Sequence, residues 1–109
     1  MTYKEIAAMV AEIGVPYAYY EFADTAQSPP FVCFFYPDDS DVYADDSNYQ
    51  TIKHLTIEVY TDTKDFALEA TVESVLRSHG LTWARSETRI DSERMFEVIY
   101  DTEVVITEE

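Results

Sequence analysis

The hydrophobic pattern of this chain changes period along its length, and that change limits the possible folds more than any other feature. Between Tyr3 and Ile13, the apolar residues Ile6, Met9, Val10 and Ile13 recur at spacings of three and four, which lines one face of a helix. The spacing predicts a helix over 3–13, with Gly14 placed where a left-handed closing residue is wanted. The same period returns between Thr63 and His79, where Leu68, Val72, Val75, Leu76 and His79 form a stripe. Acids crowd the first half of that segment, where they suit the helix dipole, and Gly80 ends it. The chain has 2 glycines, so both serve as helix stops and little is left for tight hairpins.

Elsewhere the period is two. "PYAYYEF" (16–22) and "FVCFFY" (31–36) read as strands, the second bracketed by Pro29-Pro30 and Pro37. In "KHLTIEVY" (53–60), Leu55, Ile57 and Val59 alternate with polar residues. In "FEVIYDTEVVI" (96–106), Phe96, Val98, Tyr100, Val104 and Ile106 share a face. "TWARSETRI" (82–90) is a weaker strand with Trp83, Arg85, Glu87 and Arg89 on one side. The element order is α-β-β-β-α-β-β. It predicts an α+β domain, with an antiparallel or mixed sheet of four to five strands and two helices packed on one face. A chain of 109 residues, 47% of them hydrophobic, fills one such domain over 1–109 and is too apolar for a disordered acidic tail.

Charge narrows the function. Twenty-two acids against 7 bases give a net charge of −15. Binding nucleic acid through its phosphates, or lying on an anionic membrane, needs a basic patch that this chain has little material to build. An acidic protein of this kind stays soluble by repulsion, meets a basic partner, imitates DNA, or borders DNA that it must not hold. No apolar run approaches the length of a membrane span.

Catalytic signatures are missing, and the reading is of a protein that is not an enzyme and carries no cofactor. No glycine-rich phosphate loop is present, and the single Cys33 sits in an apolar run as an expected buried, inert thiol. His54 and His79 stand apart, the first on a strand face and the second in the last turn of a helix. The stretch "YPDDSDVYADDSNY" (36–49) does not fit a calcium loop. Started at Asp39, it has Tyr43 at a ligand position, Ala44 where the turn needs glycine, and Gln50 in place of the closing glutamate. It is read instead as a long acidic loop over 37–50, a partner surface. Asp38, Asp39, Asp41, Asp45 and Asp46 would set orientation, while Tyr43 and Tyr49 would anchor. Arg85, Arg89 and Arg94 form a second candidate, three of the 7 bases within one short segment, placed to meet the carboxylates of a neighbouring copy.

Taken in order, "VPYAYYEF", "PPFVCFFYPDDSDVYADDSNYQ", "LTIEVYTDTKD", "LEATVESVL" and "SETRIDSERMFEVIYDTEV" resemble small tail-completion proteins of long-tailed bacteriophages and prophages of Gram-positive bacteria. These are similar to the tail-terminator family. The resemblance covers almost the whole chain and rests on phrases of sequence, with no motif of functional side chains to carry over. It implies a virion protein, present in the host cytoplasm during assembly, whose α+β subunits form a ring, usually of six copies. The ring caps the tail tube, stops its polymerisation and offers a surface for joining the head. The implied partners are further copies of the chain, the tail tube protein and a head-completion or connector protein. DNA passes nearby without being bound, and no membrane is involved. Six copies would carry 6 × (−15) = −90, which keeps phosphate at a distance. The other function class that fits the charge is a DNA-mimic inhibitor, whose carboxylates imitate phosphates on a DNA-binding protein.

Overall fold

Thr2 opens the first helix with a reciprocal cap: its hydroxyl accepts from the Glu5 amide, while the Glu5 carboxylate accepts from the Thr2 amide. The computed structural model describes residues 1–22, 27–39 and 50–107. Helix α1 spans Tyr3–Ala11 and α2 spans Phe66–Ser78, and the strands are β1 (Tyr17–Tyr19), β2 (Phe31–Phe35), β3 (Gln50–Thr61), β4 (Ala84–Ile90) and β5 (Met95–Thr107). The predicted α-β-β-β-α-β-β order is the order observed. One five-stranded sheet runs β1-β2-β3-β5-β4. It is mixed: β1 lies parallel to β2, and every other neighbouring pair is antiparallel.

Both helices cover the same face of the sheet. Ile6, Met9 and Val10 of α1 and Val72 and Leu76 of α2 are buried in one cluster with Val32, Leu55, Ile57, Val59, Val98, Tyr100 and Val104. The register explains the selection. Val59 stands opposite Val98 and Val32, and Ile57 opposite Tyr100 and Phe34, so one parity of each strand faces the helices. Each fully buried aliphatic of this set contributes about 1.5–3 kcal/mol relative to an exposed one. Both helices are followed at their C-terminal ends by the expected glycines, Gly14 at φ +91 and Gly80 at φ +76.

Boundaries shift for local reasons. The predicted strand over 16–22 shortens to three residues because Tyr20 takes a left-handed φ of 67 and the Glu21 amide turns back to the Tyr19 carbonyl. Helix α2 starts later than Thr63 because Asp65 is its cap, its carboxylate accepting from the Leu68 amide. The β4–β5 hairpin is turned by a short 3₁₀ segment, Asp91–Glu93, and closed by Arg94 at φ 54.

Candidate interaction surfaces

The face of the sheet that carries no helix holds an unusual group. Glu58 and Tyr60 alternate onto it from β3, and Glu97 arrives from β5 because Tyr60 and Glu97 are register partners. The Tyr60 hydroxyl lies 3.0 Å from Glu58 Oε1 and 2.8 Å from Glu97 Oε2. One hydroxyl proton serves two carboxylates only as a weakened three-centre bond. Both contacts become full hydrogen bonds when a carboxylic acid donates to the phenol oxygen while the phenol donates to the other carboxylate. The Glu58 carboxyl meets that need: burial first, then its hydrogen-bonded neighbour Glu97, push its pKa from 4.5 up to about 7. Burial and the same two acids also push the Tyr60 phenol upward.

Around this group the helix-free face is aromatic. Phe31 stacks on Tyr60 with centroids 4.8 Å apart, Tyr20 meets Phe35 edge-on at 5.6 Å, and Phe22 meets Phe31 likewise. Together with Cys33 they line an open concavity of about 550 Å³. Cys33 is buried as expected, and burial pushes its thiol up to about 11, so it is held as an unreactive thiol. Neighbours Tyr19 and Tyr20 face opposite sides: Tyr19 packs on Phe34 and Tyr36 toward the helices, Tyr20 on Phe35 away from them.

The arginine group predicted from sequence is divided by the fold. Arg85 belongs to the subunit's own structure, 2.5 Å from Oε1 of the buried Glu69 and 2.9 Å from Glu87. Lys64 bonds the same two carboxylates. These contacts raise the Arg85 pKa, led by Glu69, and lower that of Glu87, led by Lys64. Arg89 is freer, with its guanidinium 4.6 Å over the Phe96 ring and 3.6 Å from Asp91. Arg94 is exposed in the hairpin turn and has no ion pair among the described residues. Arg85 and Arg89 thus share one face of β4, as their spacing predicts, while Arg94 lies at its end.

Of the acidic loop, Asp38 and Asp39 can be placed. They continue the β2–β3 hairpin instead of standing free: the His54 amide donates to the Asp38 carbonyl, and Asp39 bridges Lys53. His54 binds the Asp38 carboxylate through Nδ1 and Glu103 through Nε2, and those contacts, Asp38 first, raise its pKa. His79 caps α2 and reaches Glu12 at 2.9 Å. Asp41, Tyr43, Asp45, Asp46 and Tyr49 lie outside the described residues. Among the described residues no three His, Cys, Asp or Glu side chains gather to hold a metal ion.

Sequence reasoning missed the Glu58–Tyr60–Glu97 group. Alternation put Glu58 and Tyr60 on one face, but Glu97 joins them only through a β3–β5 register that no local pattern encodes. Glu69 was missed likewise, since an acid early in a helix reads as a solvated dipole partner.

No family model matches the chain, and neither does any curated protein. Among solved structures, the fold is similar to a chain of the "Virion of native gene transfer agent (GTA) particle". The TM-score is 0.60 at 14% identity, and the match covers 94% of this chain and 86% of that one. The likeness is one of fold.

Proposed function

We propose that this chain is a structural component of a phage or prophage virion, a tail-completion protein that caps the tail tube as a ring and helps join tail to head. The observation that carries the reading is the nearly full-length fold similarity to a chain of a gene transfer agent virion. The independent resemblance of the chain's ordered phrases to small tail-completion proteins supports it. The surface chemistry fits. A ring of six would present a large net negative charge to DNA passing through it, so the DNA slides without being held. Its partners are further copies, the tube protein and a head-completion protein, and it needs neither cofactor nor metal. A DNA mimic fits less well, because some of its carboxylates are already paired within the subunit: Glu69 with Arg85 and Lys64, Asp39 with Lys53.

The test is disruption of the gene in the phage or prophage that encodes it. The expected product is a mixture of filled heads without tails and tubes of uncontrolled length. Joined, infective particles with tails of normal length would overturn the reading.

A further inference from the structure

The sheet ends in two open edges, and their chemistry differs. Among the described residues no strand pairs with the outer side of β1 or of β4. On β1, the Val32 amide donates to the Pro16 carbonyl and the Tyr20 amide to the Phe34 carbonyl. The even-numbered residues therefore bond β2, and the amides of Tyr17 and Tyr19 point away from the sheet. Both side chains are exposed, Tyr17 at 42% and Tyr19 at 53%. On β4, seven residues run with no proline or lysine to blunt the edge, and Arg89 sits there over Phe96 with its side chain 41% exposed.

Strand directions decide how two such edges can meet. β1 runs with β2, β3 against them, β5 with them and β4 against them. A copy rotated about an axis along the strands therefore brings its β1 beside the first copy's β4 in antiparallel sense, with the helices of both copies on the same side. Parity then matches as well. Tyr17 and Tyr19 share the helix-bearing face with Val32 and Phe34, and Arg85, Glu87 and Arg89 share it with Tyr100, Val98 and Phe96. With Ala18 opposite Thr88, Tyr17 falls opposite Arg89 and Tyr19 opposite Glu87. The Arg89 guanidinium then receives the Tyr17 ring, and the Tyr19 hydroxyl lies within reach of a carboxylate.

We infer that the outer edges of β1 and β4 are the two halves of one head-to-tail contact between copies of this chain, which continues the sheet antiparallel from subunit to subunit. The contact is heterologous, so repeated rotation either closes it into a ring or winds it into a filament. It specifies the self-contact of the ring proposed above and rests on that reading for its closure.

The test uses the full chain carrying Cys33→Ser, with Tyr17→Cys and Arg89→Cys together, treated at high concentration with a short bismaleimide. Both replaced side chains are exposed, so circular dichroism of the variant should match that of the parent. A ladder of covalent multimers is expected from the double variant. Each single variant should give at most dimers, and a control pair of Tyr17→Cys with the exposed Phe66→Cys should give no ladder. A ladder ending at a fixed copy number supports both the contact and the ring. A ladder without an end supports the contact and contradicts the ring. No ladder from a chain that sediments as a closed oligomer overturns the contact and leaves the ring standing. Monomers alone, at every concentration and with no ladder, overturn the contact.

Discussion

Replacing Glu58 with glutamine should make the protein more stable than its parent in alkaline solution while changing little in acid. In the folded chain Glu58 holds its proton up to about pH 7, against 4.5 for the free group. A carboxyl raised in this way contributes its stability fully below the unfolded value and loses it as pH rises through the folded one. The full interval corresponds to at most about 3 kcal/mol. Solvent reaching this partly exposed site reduces that to roughly 1–2 kcal/mol. Glutamine keeps a donor for the Tyr60 oxygen, so the Tyr60 hydroxyl goes on donating to the Glu97 carboxylate and the arrangement no longer depends on pH. Urea denaturation of parent and Glu58→Gln at pH 5 and pH 8 reads the difference. Groups remote from Glu58, His54 among them, contribute equally to both chains and cancel in the comparison. The variant should gain about 1–2 kcal/mol on the parent between the two conditions. Equal pH dependence in the two chains, or a variant that loses ground at pH 8, would refute the shared-proton reading.

Four further outcomes are expected. Arg85→Gln removes one of two cations from the buried Glu69 and should cost about 1–3 kcal/mol in chemical denaturation; Arg89→Gln should cost under about 0.5 kcal/mol and impair assembly instead. In an NMR titration the His54 ring should show a pKa above 6.5, and Asp38→Asn should bring it down, since the Asp38 contact is the leading cause. Replacing Asp38, Asp39, Asp41, Asp45 and Asp46 together with asparagine should leave the thermal midpoint nearly unchanged while lowering the yield of completed particles in a complementation assay.

The architecture was legible because its signals are local and repeated. Two helical stripes, each closed by a glycine, and runs with period two carried the element order and the split between faces of the sheet. What the sequence could not carry was pairing. The parallel β1–β2 contact, the β3–β5 register that assembles Glu58, Tyr60 and Glu97, and the approach of Arg85 to Glu69 across 16 positions are all tertiary facts. The three arginines illustrate the difference. Spacing correctly placed Arg85 and Arg89 on one side of a strand, yet only the packing of α2 shows that Arg85 serves the subunit and Arg89 remains available.

The central claim, a ring of this chain at the end of a tail tube, is tested most directly by electron cryomicroscopy of purified particles from the phage or prophage that encodes it. The account predicts a ring of density at the head-proximal end of the tail into which this fold fits, with its sheets continuing from copy to copy. Density for the chain along the whole tube, in the capsid wall, or nowhere in the particle would contradict it.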